Sequence, residues 1–327
     1  MFFVFVTSGM GDDQQVRPPN CPSCQSLDDA WWTGPMLAPS ASTLPRGHFL
    51  IEPYLFDVIV EGRYDRDGTL RSTTHSHTFG SLTYINYGLT DKLTIGMLPT
   101  FSYTTVAGGA DSSGVGIGDL TVQAQHRLTQ FHPGHWIPTT SITVQEIFPT
   151  GKYDQLGDRP SDGFGNGAYT TTLSLYSQTY FWLPNNRILR MRFNVSRSFS
   201  TDVTVKDVSV YGTKAGFRGH AQPGGSWFLN AAWEYSLTRR WVLALDATYR
   251  HDDSTHVTGF NILDHGAGKK ARAIRSDSGF SDAFGLAPAV EYNWSPKVGV
   301  LLGVRVIPAG RNTAFTITPA VAINIVY

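Results

Sequence analysis

Apolar and polar side chains alternate with a period of two along most of this chain. In "SWFLNAAWEYSL", Trp227, Leu229, Ala231, Trp233, Tyr235 and Leu237 fall on one face, and Ser226, Phe228, Asn230, Ala232, Glu234 and Ser236 on the other. "WVLALDATYRH" sets Trp241, Leu243, Leu245, Ala247 and Tyr249 against Val242, Ala244, Asp246, Thr248 and Arg250. "ILRMRFNVSRSF" opposes Leu189, Met191, Phe193 and Val195 to Arg190, Arg192, Asn194, Ser196 and Ser198. "DLTVQAQHRLT" opposes Leu120, Val122 and Ala124 to Asp119, Thr121, Gln123, Gln125 and Arg127. This is the period of β-strands with one apolar face, and no segment carries a convincing helical stripe. The pattern predicts twelve strands, near 47–60, 76–89, 92–106, 116–130, 136–148, 166–183, 187–200, 225–237, 240–252, 279–294, 297–307 and 313–327. The first two alternate poorly. Globular strands usually run to about 5–6 residues, whereas these reach the roughly 9–11 that a tilted membrane-crossing strand needs.

The connections sort by parity. The short ones, "LTDKL", "TQFHPGHW", "LPNNR", "LTRRW" and "NWSPK", alternate with long stretches at 61–75, 107–115, 149–165, 201–224 and 253–278. Only the last long-side connection, 308–312, is brief. A β-sandwich has no reason to sort its loops in this way. An outer-membrane barrel does: its short turns lie on the periplasmic rim, its long loops on the extracellular rim, and its strand count is even. Aromatic residues flank the short connections: Tyr87, Trp136, Trp182, Tyr235, Trp241, Tyr292 and Trp294, with Tyr327 at the C-terminal end. Together they are expected to form a band at one membrane interface, where rings with polar tips are favoured.

Composition supports this class. Lys and Arg total 26 against 26 Asp and Glu, so there is no basic footprint for nucleic acid. Charged residues are 16% of the chain, below the roughly 25% of soluble domains. No apolar run reaches the ~18–20 residues of a membrane-spanning helix. The expected fold is all-β, a single twelve-stranded antiparallel transmembrane barrel over 47–327 with both termini periplasmic.

Residues 1–46 read as a lead-in. "MFFVFVTSGMGDDQQ" looks like the remnant of a signal peptide whose front is missing, a reading favoured because a barrel needs export. "CPSC" places Cys21 and Cys24 too few in number for tetrahedral zinc and outside any βαβ context, so a local disulfide is expected. The Pro- and Ser-containing "TGPMLAPSASTLPRG" follows the pair Trp31–Trp32, and two roles stand open for the lead-in: a partial plug in the lumen or periplasmic mouth, or an interfacial or mobile segment.

At "GVGIGDLTVQAQHRL" the sequence resembles the outer-membrane proteins grouped as transporters of the MetA pathway of phenol degradation. The shared features are Gly116, Gly118, Asp119 and Leu120 opening a strand, and a Pro-x-Gly followed by a Gly-rich stretch in "FPTGKYDQLGDRPSDGFGNG". "TGPMLAPSASTLPRGHFLIEPYLF" is similar to the family's lead-in and first strand, and the chain also ends on an aromatic strand. The resemblance implies passage of small hydrophobic or aromatic solutes across the outer membrane.

Candidate chemistry is sparse. "GVGIGD" precedes a strand where a dinucleotide loop needs a helix, and "TGKY" lacks the remaining residues of a phosphate loop. His75, His77, His132, His135 and His251 have no carboxylates in ligand spacing, so no metal or other cofactor is expected. An outer-membrane phospholipase would need a His with a nucleophilic Ser two residues later, and no His-x-Ser occurs. No catalytic residue is proposed.

What remains is the inward face. If apolar faces meet lipid, the lumen displays Asp119, Gln123, Gln125, Arg127, Arg190, Arg192, Asn194, Glu234, Asp246, Arg250, Glu291 and Arg305. Twelve strands spaced ~4.8 Å and tilted ~40° enclose a backbone radius of about 12 Å, which long side chains can nearly fill. Two roles remain open: a narrow channel with loops 149–165, 201–224 and 253–278 as vestibule, or a sealed scaffold whose loops bind a partner. The expected partners are outer-membrane lipid, a small solute, and the barrel-assembly machinery through the C-terminal strand "FTITPAVAINIVY". Pro319 in that strand cannot donate to a ladder and predicts a bulge or open register.

Overall fold

The computed structural model describes residues 17–18, 21–265 and 268–327, with side chains left aside over 263–270. The apolar start of the chain lies outside the described residues. Twelve staves form the wall. They are β1 (Phe49–Tyr64), β2 (Ser76–Thr90), β3 (Leu93–Leu98 with Thr100–Val106), β4 (Leu120–Thr129), β5 (Thr139–Phe148), β6 (Thr170–Trp182), β7 (Ile188–Ser200), β8 (Ser226–Ser236), β9 (Trp241–Asp252), β10 (Ser281–Ser295), β11 (Val298–Arg311) and β12 (Ala314–Val326). Each pairs antiparallel with its sequence neighbour, and β1 pairs with both β2 and β12, so the sheet closes on itself. In lipid that closure is obligatory, because an open edge would leave peptide groups without partners.

The alternation sorts the two faces as expected. On β7, Phe193 is 52% exposed while Arg190 and Asn194 are each 1% exposed. Large apolar residues such as Leu173, Leu243 and Leu302 cover the outside. Short turns at 91–92, 183–187, 237–240 and 296–297 share one rim, and long connections share the other. At the closing seam, Phe56 pairs with Ala320 and Ile59 with Ile317 in one register, while Pro319 drops out of the ladder to β1. The bulge on that seam lies at Val60/Gly62, and Pro319 keeps its place opposite Val304 on β11.

One expectation needs correction. The stretches 201–224 and 253–278, read as loops, carry the strands Val203–Lys206, Phe217–Gln222, His256–His265 and Gly268–Asp277. These form a separate four-stranded sheet that continues β7, β8, β9 and β10 beyond the wall. Alternation there was obscured by Gly219 and Gly259, which face each other across the sheet. A Cβ on Gly219 would stand 2.2 Å from the Thr258 carbonyl oxygen, and one on Gly259 2.4 Å from that of Arg218. The inward face of this sheet is a small core of Val203, Val205, Phe217, Ala221 and Val257, capped by Ala168 and Tyr153 from the β5–β6 connection. That connection is also pinned to the β3–β4 one, where Asp162 accepts the Ser113 N–H at 2.7 Å. The same bond holds the Asp162 carboxyl below the ordinary carboxylate range.

If β7 faces lipid as described, Phe193→Arg places a cation against hydrocarbon and costs about 2–4 kcal/mol. Urea unfolding in lipid vesicles measures this, and a loss below about 0.5 kcal/mol would contradict the assignment of the outer face.

Candidate functional site

The lead-in dips into the lumen and returns. Near the short-turn rim, Cys21 and Cys24 are joined by a disulfide with Cα atoms 5.4 Å apart. The Gln25 N–H donates to the Asn186 carbonyl in the β6–β7 turn, and the Trp31 N–H to Arg239 in the β8–β9 turn. Arg239 also stacks on Trp31 at 4.5 Å. From there the chain enters the barrel, and at its far end the Gly88 N–H of β2 donates back to His48, just before β1 begins. We call residues 25–48 the strap.

An irregular segment inside a barrel has no ladder to join, so its peptide groups must be satisfied by wall side chains. Glu291 on β10 accepts the N–H groups of Thr33 (2.6 Å) and Gly34 (3.1 Å). Asp246 on β9 accepts those of Leu37 (3.2 Å) and Ala38 (3.0 Å), together with the Asn230 amide (3.0 Å). On the acceptor side, the Ala38 carbonyl takes a bond from Arg192 and the Pro39 carbonyl one from Asn194. Gln125 donates to the Ser40 carbonyl, and the Thr94 hydroxyl accepts from the Leu44 N–H. Apolar contacts seat the same segment. Trp32 stacks on Arg190, whose guanidinium is 4.4 Å from the ring centre, and Met36 packs on Ala287, Leu301 and Ala322.

Beneath the strap is a buried charge cluster. Arg190 grips Glu234 with two nitrogens, Nε at 2.7 Å and Nη2 closer still. Arg192 pairs with the same carboxylate at 3.1 Å. Glu234 thus neutralises one of two buried guanidiniums, while Glu291 and Asp246 are turned to the strap. Gly34 needs its special backbone here: its φ of 120° is open to glycine, and a Cβ added there would stand 3.5 Å from the Arg192 guanidinium.

Six of the twelve expected lumen residues, Arg190, Arg192, Asn194, Glu234, Asp246 and Glu291, meet in this buried layer. Gln125 reaches the strap, and Gln123 bridges Asn86 and Gln145. The others lie away from it. Asp119 accepts the Gly151 and Asn166 N–H groups at the foot of the β5–β6 connection. Arg250 pairs with Asp252 near the long-loop rim, Arg127 stands near the short turn after β4, and Arg305 lies farther along β11 with its Nε unbonded.

On the opposite wall, sequence reasoning found Gln123 and missed most of its neighbours. A cavity of about 100 Å³ lies between the strap and that wall, lined in part by Glu52, Tyr54, Tyr84, Asn86, Gln123 and Tyr176. That is room for several waters. Glu52 and Tyr54 flank Pro53 on β1, a strand whose weak alternation hid its inward face.

The aromatic residues divide. Trp241, Trp294 and Tyr327 are exposed on the short-turn rim, where Tyr292 packs between the two tryptophans at 4.7 and 5.4 Å. Tyr87 stacks on Phe49 at 4.5 Å, Tyr235 accepts from Asn185, and Trp136 stands 88% exposed in the β4–β5 connection. Trp182 is the exception. It turns inward, its indole N–H donating to the Gln25 carbonyl, so it belongs to the seat of the strap and not to the interfacial band. Its even-numbered position on β6 shares the inward face with Gln178 and Tyr180. Among the candidate histidines, His75 and His77 meet at 3.0 Å and His77 contacts Asp57 at 2.8 Å. Among the described residues no group of three or more His, Cys, Asp and Glu has metal-binding geometry.

The family model described as "Putative MetA-pathway of phenol degradation" matches residues 56–318. Among solved structures, the COG4313 outer membrane channel from Pseudomonas putida F1 is similar, with 16% identity, 88% of this chain and 98% of that one covered, and a TM-score of 0.65. A looser match is the Pseudomonas putida toluene transporter TodX, with 13% identity, coverages of 86% and 90%, and a TM-score of 0.38. No curated protein matches the sequence.

Removing the shared carboxylate tests the cluster. Glu234→Ala leaves two guanidiniums buried without their counter-charge and is expected to lower stability by about 3–5 kcal/mol. Adding Arg190→Met to that variant should recover part of the loss. Equilibrium unfolding of both variants gives the answer, and a neutral Glu234→Ala would contradict the pairing.

Proposed function

The chain belongs to the family described as the putative MetA-pathway of phenol degradation, and on that premise we propose that it is a passive outer-membrane channel for small hydrophobic or aromatic solutes. The long loops face outward and both termini are periplasmic, so the strap enters from the periplasmic side. Residues 47–327 are the barrel, and the residues before them supply all of the strap but its last two positions, Gly47 and His48, which lead into β1. The C-terminal strand, ending on Tyr327, is what the barrel-assembly machinery engages. No reaction is assigned to it.

The observation that carries this reading is the strap itself. It is held in the lumen by hydrogen bonds, packing and cation–π contacts, and leaves a cavity beside it faced by Tyr54, Tyr84 and Tyr176. A wall of tyrosine rings offers apolar faces and hydroxyl tips, which suits small aromatic solutes better than ions. Buried charges of both signs argue against a filter for one charge. The buried Arg190–Glu234–Arg192 cluster favours a second reading, a sealed structural barrel whose loops bind a partner.

Planar-bilayer conductance and liposome uptake of phenol separate the two. The channel reading expects low conductance from the intact chain and a several-fold rise when residues 25–44 are replaced by a Gly/Ser linker of equal length. Phenol uptake should exceed that of protein-free liposomes. No conductance from either form, with no added uptake, would leave the sealed barrel as the account.

A further inference from the structure

His75 and His77 lie apart from the strap and the lumen. Residues i and i+2 of an extended strand share a face. His77 falls on the outward face of β2 beside the exposed Phe79, and the two rings stack with centres 5.9 Å apart. His75 immediately precedes β2 at the long-loop rim. The two imidazoles stand edge to face at 81°, and their Nε2 atoms are 3.0 Å apart. Both rings remain open to solvent, with side chains 43% and 33% exposed.

Each ring has a carboxylate behind it. Asp57 on β1 lies 2.8 Å from Nδ1 of His77. It reaches that ring diagonally, since the register sets Asp57 opposite Phe79 and Ile59 opposite His77. Glu61 stands 3.6 Å from Nδ1 of His75. It is the residue that the β1–β12 register skips at the Val60/Gly62 bulge, a device that re-aims side chains. A carboxylate favours a proton on the ring nitrogen that faces it, so Nδ1 is the N–H position of both rings. Both Nε2 lone pairs then converge on one point, where they repel unless an electrophile lies between them. Among the described residues neither carboxylate has a Lys or Arg partner, so with neutral rings the four groups carry net negative charge.

A shared proton fills that point but leaves one carboxylate charge uncompensated, whereas a divalent cation balances both. With metal–nitrogen bonds of about 2.0 Å, the 3.0 Å separation corresponds to a nitrogen–metal–nitrogen angle of roughly 95°. That is nearer the right angle of square-planar coordination than the tetrahedral angle zinc takes. Cu(II) prefers square-planar nitrogen and oxygen ligands, and binds such sites most tightly among the first-row divalent ions. We propose that His75 and His77 form a labile Cu(II) site on the outer wall at the long-loop rim, oriented from behind by Asp57 and Glu61. Two histidines fall short of the three or more protein ligands of a resident metal, so water completes the coordination and the ion exchanges. The site lies outside the lumen, and the proposal is independent of whether the barrel conducts.

The test is titration of the purified, untagged full chain with Cu(II), read by electron paramagnetic resonance. The intact protein should take up a single equivalent, with superhyperfine splitting from a pair of imidazole nitrogens. His75→Gln and His77→Gln should each abolish that two-nitrogen signal, whereas His132→Gln, in the β4–β5 connection, should leave it unchanged. Asp57→Asn keeps both ligands and should lower copper affinity about tenfold, as expected when the carboxylate behind a coordinating imidazole is lost. Heat-modifiable migration on a gel confirms that each variant is folded. Equal copper uptake by the wild type and the doubly substituted His75→Gln, His77→Gln protein would place the metal elsewhere and overturn the proposal. So would a two-nitrogen signal that survives either single substitution. Absence of uptake by the intact chain would overturn it too, and would make the pair a hydrogen bond sharing one proton.

Discussion

A carboxylate turned into the lumen of a closed barrel must find donors there, since the wall offers its own N–H groups only to neighbouring staves. In this protein Glu291 and Asp246 find theirs in the peptide N–H groups of the strap. The dependence runs both ways. The strap has no ladder to join, and its carbonyls would be orphaned without Arg192, Asn194 and Gln125. The lumen is therefore completed by the chain's own lead-in. Arg190, gripped by Glu234, supplies the charged floor on which Trp32 rests.

The barrel was legible because its physics is periodic. Lipid outside and polar groups inside force a period of two over long strands, and the two rims force the loop parity; β6 to β10 show both plainly. The buried layer beneath the strap was legible for the same reason: Arg190, Arg192, Asn194, Glu234, Asp246 and Glu291 follow from alternation alone. What escaped depended on contacts that alternation does not encode. Trp182 looks like a rim aromatic in sequence, and only the nearby Gln25 carbonyl explains why it turns inward. Glu52 and Tyr54 were hidden because Pro53 and nearby apolar residues blur the pattern of β1. The outer sheet was hidden by Gly219 and Gly259, whose value lies in the close approach of two backbones and whose composition reads as loop.

Wall, strap and outer sheet solve related problems at three depths. Across the membrane, closure satisfies the peptide groups and apolar side chains meet lipid. Within the lumen, hydrogen bonds to side chains fix a segment without regular structure, and the cavity left beside it is faced with tyrosine. Beyond the membrane, β7 to β10 persist as a sheet because the connections from β5–β6 cover its inward face. A route for solutes, if it follows the strap, passes between the carboxylate-bound side and the tyrosine side.

The central claim is that the strap sits ordered in the lumen, bound through its peptide groups. Hydrogen–deuterium exchange of the full chain in lipid nanodiscs tests it most directly. The account predicts that the amides of Thr33, Gly34, Leu37, Ala38 and Leu44 exchange slowly, as wall amides of β7 and β9 do, and that Asp246→Asn with Glu291→Gln speeds exchange at the first four. Rapid exchange across residues 33–44 in the unaltered protein, at rates seen in exposed loops, would contradict it.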